Sequence, residues 1–149
     1  MLKDDAGLWV KGFARQIGYT TRFLDELWAL RDGHSMCIDL NINALEIDLD
    51  AKVVANLMNN SGSSSASNSS IVADCRILIS RFPQVKVKHC YRESNSCVDA
   101  LARLGSKMAP NFLYFSSPPP SLFNSYVSDL YSLYHSRLCP GLVVCSPLF

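Results

Sequence analysis

The sequence predicts an α/β domain built on a mixed sheet flanked by helices. Two segments, Ala44–Asp50 and Gln84–Tyr91, alternate apolar and polar residues strictly. Each follows a stretch whose apolar residues recur at helical spacing, and a glycine-bounded strand signal lies near the start of the chain. Strands that alternate with helices imply a layered sheet with at least one parallel pair. A chain of 149 residues has room for one core. Its 48% hydrophobic and 18% charged content fits a globular protein and not a disordered one.

Leu8–Ile17, LWVKGFARQI, reads as a strand between Gly7 and Gly18. Asp4-Asp5-Ala6-Gly7 ahead of it is a turn, which makes Met1-Leu2-Lys3 the stub of an earlier strand and the whole a hairpin with a short first arm. A helix follows from Phe23 to near Leu40, with Leu27, Leu30, Cys37 and Ile38 on one stripe and His34 beside them. Gly33 weakens that helix by roughly 1 kcal/mol against alanine. In Ala44–Asp50, Leu45, Ile47 and Leu49 point one way and Glu46, Asp48 and Asp50 the other. A short helix, Ala51–Met58, comes next, and then Asn59–Ser70, a low-complexity Ser/Asn loop with nothing to bury. Ile71–Phe82 resumes a helix through Val72, Cys75, Leu78 and Ile79, and Pro83 ends it. The strand Gln84–Tyr91 leads to a helix capped by Asn95 or Ser96 that runs to Leu104 and stops at Gly105. Residues 1–109 therefore form the domain. Residues 110–149 are a tail rich in proline and aromatics, expected to be irregular with one short helix near Tyr126–Tyr134.

Composition narrows the setting without naming a function. The net charge of +1 provides no global field for nucleic acid, so any polyanion site has to be local. Six cysteines include no C-x-x-C pair and no zinc spacing, which fits reduced, buried thiols in an intracellular protein, nucleus or cytoplasm undistinguished. Met1–Asp5 carries two acids and no apolar core of a signal peptide. No run approaches the ~18 apolar residues of a membrane helix, so no membrane partner is expected. The oligomeric state is left open.

Four side chains stand where such a sheet places its chemistry. Asp50 closes a strand, and ligands bind outside the carboxyl ends of such strands. Glu26 lies in the first turn of the first helix, His89 near the end of the last strand, and Asp99 in the first turn of the last helix. Carboxylates brought to one point repel unless divalent metal sits between them. Two Mg²⁺ ions ~3.5–4 Å apart can stabilise both the attacking and the leaving oxygen of a phosphodiester. Each residue also has a structural explanation. Asp99 completes a capping box with Ser96, and Glu26 complements a helix dipole. Glu46, Asp48 and Asp50 suit the wet face of a strand, and His89 a core position between Val87 and Tyr91. Taken singly, each of these explanations outweighs the chemical one.

The wording of three segments changes that balance. Phe23-Leu24-Asp25-Glu26-Leu27-Trp28-Ala29-Leu30-Arg31-Asp32-Gly33 resembles the E-L-x-A-L helix of the ribonuclease H superfamily. The likeness is strongest to the plant branch, the reverse-transcriptase-like domains derived from retroelements. Leu45-Glu46-Ile47-Asp48-Leu49-Asp50-Ala51-Lys52 is similar to that branch's strand ending in Asp-Ser or Asp-Ala. The segment from His89 to Ala102, HCYRESNSCVDALA, resembles its H-x-x-R-E-x-N-x-x-A-D-x-L-A motif and is the most specific of the three. The likeness runs in order through residues 1–115.

The resemblance implies a ribonuclease-H-like mixed sheet flanked by helices, and an ancestral activity of Mg²⁺-dependent hydrolysis of the RNA strand of RNA–DNA hybrids. It makes Glu26, Asp50 and Asp99 three of four metal-binding carboxylates, and His89 the histidine that assists proton transfer or product release. It prefers Asp50 to Asp48, and sets Arg92 and Asn95 against the backbone of a bound nucleic acid. The family's first strand is central in its sheet, carries Asp-Gly-Ser, and is missing here. Asp4 and Asp5 fall in the hairpin turn and do not replace its aspartate. The alternative implied by that gap is a catalytically dead nucleic-acid-binding relic or a truncated gene product lacking the first catalytic aspartate. The gap also leaves two open edges in mid-sheet. Two remedies are expected: Leu8–Ile17 slides over to pair with Ala44–Asp50, or the chain borrows a strand from another molecule.

Overall fold

A computed structural model describes residues 1–60, 69–91, 96–109, 111–135 and 142–144. The hairpin at the start is β1 (Leu2–Lys3) and β2 (Trp9–Arg15), antiparallel with Leu2 opposite Lys11. The Asp4 carboxylate accepts the amides of Ala6 (3.0 Å) and Leu8 (2.8 Å), and Gly7 turns the chain at φ +77°. Asp4 is thus committed to the turn, as the sequence reading has it.

α1 (Arg22–Asp39) starts at Thr21, whose hydroxyl accepts the Leu24 amide, and carries Gly33 through its buried side without a break. It buries Leu27, Leu30, Met36 and Cys37 against Leu45, Ile47 and Leu49 of β3 (Ala44–Leu49). α2 (Lys52–Asn59) and α3 (Ser70–Ile79) add Val54, Ala55, Ile71, Val72 and Cys75 to the same core. The chain then enters β4 (Gln84–His89), which lies parallel to β3 with Ala44 opposite Gln84 and Leu49 opposite His89. That is the parallel pair expected from strands joined by helices.

α4 (Ser96–Ser106) packs with β2 and builds a second core from Met1, Cys97, Val98, Leu101 and Leu122. Phe13 joins the first core, whereas its neighbour Gly12 meets Leu101 of the second, so α1 and α4 take opposite faces of the sheet. Contact there is close. A Cβ built on Gly105 stands 2.7 Å from the carbonyl oxygen of Arg15.

Beyond residue 110 the structure departs from the sequence reading. The expected helix is present as α5 (Phe123–His135), entered through a 3-10 turn at Pro120–Leu122. Two strands were not expected: β5 (Phe112–Phe115), which pairs antiparallel with β2, and β6 (Leu142–Val144). The sheet runs β4-β3-β6-β1-β2-β5. β6 lies parallel to β3 and antiparallel to β1, in mid-sheet. The expected slide of β2 onto β3 does not occur: β2 stays beside β1, and the chain's own Leu142–Val144 enters between β1 and β3. The physical reason is the one that motivated the expectation, since unpaired ladder groups in mid-sheet are costly and a nearby extended segment satisfies them. No helix among the described residues is long and apolar enough to cross a membrane.

Candidate functional site

The parallel register of β3 and β4 brings two of the four candidates to one end of the sheet. Leu49 is level with His89, and the Cys90 amide donates to the Leu49 carbonyl at 2.8 Å, so Asp50 and His89 lie one residue apart in register at the carboxyl ends of adjacent strands. His89 is exposed and stands edge-on to Tyr91, ring centroids 5.4 Å apart; it is not the core histidine that its alternation with Val87 allowed.

Glu26 reaches the same place from α1. The first turn of that helix lies over the carboxyl end of β3 because α1 leads back into β3 through a tight turn at Asn41 (φ 54°). Glu26 is fully buried, and its Oε1 lies 3.5 Å from the Ala51 amide, at the entry to α2 immediately after Asp50. The structure therefore brings Glu26 and the Asp50–Ala51 step together.

Asp99 comes from the other face of the sheet. It sits in the first turn of α4, half-buried, with Oδ2 3.0 Å from Nη2 of Arg103 one helical turn on. Among the described residues no group of three or more His, Cys, Asp or Glu side chains is placed to hold a metal ion. Arg92 and Asn95 lie outside the described residues.

Three further acidic residues bear on these elements; Asp25 and Asp129 were not singled out from the sequence, and Asp48 was set behind Asp50. Asp25, beside Glu26, is fully buried; neither carboxylate oxygen has a hydrogen-bond partner, and burial pushes its pKa up. Asp48 is half-buried on β3; burial raises its pKa first and Glu46 adds to this, against the pull of Lys88 and Lys3. Lys88 itself pairs with Glu46 across the β3–β4 register.

Asp129 of α5 is the third. It is 4% exposed and caps α4 from outside: Oδ1 accepts the Ser96 amide (3.1 Å) and hydroxyl (2.5 Å), and Oδ2 accepts the Cys97 amide (2.9 Å). Lys3 Nζ, also buried, stands 3.9 Å from Oδ2. These bonds satisfy the orphan N–H groups of the helix whose first turn carries Asp99. Nothing local in the sequence signals the cap, because its partners are 32 and 33 residues away.

The reverse transcriptase-like family matches residues 1–105, which include Glu26, Asp50, His89 and Asp99. An Arabidopsis thaliana protein named as a ribonuclease H protein is 26% identical over 122 residues, covering 82% of this chain. The chain spans about a fifth (20%) of that relative's length. No solved structure matches. The match over most of the chain, with the α/β architecture described above, shows that the protein belongs to the reverse transcriptase-like family of ribonuclease-H-like fold.

Proposed function

We propose that this chain is a nucleic-acid-binding module of the ribonuclease H type whose ligand is an RNA–DNA hybrid, held at the carboxyl ends of β3 and β4. The observation that carries the reading is that Asp50 and His89 end adjacent strands one residue apart in register, with Glu26 drawn against the Asp50–Ala51 step. Lys52, exposed two residues beyond Asp50, supplies a positive charge at the same end. The family match and the name of the Arabidopsis relative support the ligand class.

Divalent metal is a separate matter. When bound between carboxylates in this family, Mg²⁺ supplies charge neutralisation at the phosphate under attack. Glu26, Asp50 and Asp99 are the residues that would hold it; no group of three such ligands is gathered among the described residues, and the proposal is confined to binding. What the residues do is hold a backbone: His89 offers an exposed ring donor and Lys52 a cation, and the buried Glu26 fixes the step that presents Asp50.

Fluorescence anisotropy with a labelled RNA–DNA hybrid, a DNA duplex of the same sequence and an RNA duplex tests the reading. The expected result is preference for the hybrid, weakening as salt rises because phosphate contacts release counterions. Equal binding of all three duplexes, or of none, would refute it.

A further inference from the structure

The six-stranded sheet is continuous only through Leu142–Val144. β3 pairs with β4 and β6, β1 pairs with β2 and β6, and no described pairing joins β1 to β3 directly. On one side of β6 stand β3 and β4, on the other β1, β2 and β5. The link is a strand of 3 residues. Its described pairing with β1 is the single step Leu2 to Leu142. It covers Ile47, Asp48 and Leu49 of β3, whereas β4 covers all of Ala44–Leu49 from the other side.

A strand so short makes few ladder bonds, and covalent connection to the rest of the chain raises its effective concentration at the slot. Ladder bonds are made by the main chain and do not distinguish a tethered strand from the same strand on another molecule. The sequence Leu-Val-Val is apolar with two β-branched residues, suited to an interior strand whichever molecule supplies it.

We propose that Leu142–Val144 is an exchangeable strand, and that the slot between β1 and β3 also accepts the same segment from a second copy of this chain. The occupant is set by the required direction, parallel to β3 and antiparallel to β1, which this segment already satisfies in register. Val144 is level with Leu49, so the exchanged strand brings the partner's backbone to the height at which β3 reaches Asp50. The two copies are then joined next to the candidate site and not at a remote edge. The proposal rests on the strand pairing alone and stands apart from the nucleic-acid reading.

Sedimentation velocity on the full 149-residue chain tests it over a concentration series. The chain is run alone, with excess synthetic peptide of residues 138–149, and with the same peptide carrying Val143→Pro, which removes a ladder N–H. The expected result is a reversible, concentration-dependent dimer that is lost with the native peptide and kept with the proline peptide. A chain that stays monomeric at every concentration overturns the proposal. So does a dimer that the native peptide leaves intact, or that both peptides dissolve equally.

Discussion

Acidification below pH 6.5 should destabilise the fold through His34. The ring is 0% exposed in the middle of α1, beside Phe82 with centroids 5.6 Å apart, and neither nitrogen has a hydrogen-bond partner of good geometry. Burial disfavours the imidazolium and outweighs the pull of the Leu30 carbonyl, so the pKa falls from 6.5 to about 4. The folded state therefore takes up its proton later than the unfolded chain does. The stabilisation from a neutral His34 is complete above pH 6.5, is lost as pH falls towards 4, and changes no further below that. Linkage across this window amounts to roughly 3 kcal/mol at most, and about 2 kcal/mol of it is gone at pH 5. Asp25, Asp32 and Asp48 work in the opposite sense, because their raised pKa values favour the neutral acid in the fold as pH drops. A His34→Leu variant cancels that background. Urea unfolding of both proteins from pH 7.5 to 4.5 should show the variant gaining about 2 kcal/mol on the wild type by pH 5. Parallel stability curves would show that His34 is protonated in the fold, and the argument from burial would fail.

Three other outcomes follow from the packing. Gly105→Ala pushes a Cβ to 2.7 Å from the Arg15 carbonyl, backbone against backbone, and should lower stability by about 1–3 kcal/mol in urea titration. Asp129→Ala strips the cap from α4 and leaves the half-buried Ser96 amide and the buried Cys97 amide without an acceptor; a loss of about 2–3 kcal/mol is expected, with Asp129→Asn recovering part of it. The buried thiols of Cys37, Cys75 and Cys97 are pushed up to about 11, 12 and 11, so iodoacetamide with mass mapping should modify half-buried Cys90 in the folded state and leave those three until urea is added.

The sequence disclosed most of what is local. Alternation placed β3 and β4, and apolar spacing placed α1 and α3, with boundaries differing by one to three residues at most ends. Gly33 inside α1 did not break the helix, because tertiary packing on both sides of it outweighs a propensity penalty of ~1 kcal/mol. Glu26 and Asp50 were legible for the same reason: each stands at the end of an element whose period is plain. What the sequence concealed is nonlocal. Leu142–Val144 has no alternation and is too short to signal a strand; its place is dictated by the unmet backbone groups of β1 and β3, far away in sequence. Asp129 is a carboxylate on a helix like any other until α4 is seen to end against it. The separate approach of Asp99 could not be read either, since sequence order does not reveal which face of the sheet a helix covers, and α1 and α4 cover different ones.

The claim that this chain binds a hybrid without gathering the ligands for two-metal cleavage meets its most direct test in one reaction. The full chain is mixed with a hybrid labelled on the RNA strand, Mg²⁺ is added, and complex formation and RNA length are followed on paired native and denaturing gels. The account predicts a shifted complex in which the RNA stays intact. Sustained cleavage of the RNA strand that disappears with Asp50→Asn would show that Glu26, Asp50 and Asp99 do assemble a working centre on the substrate, and would contradict it.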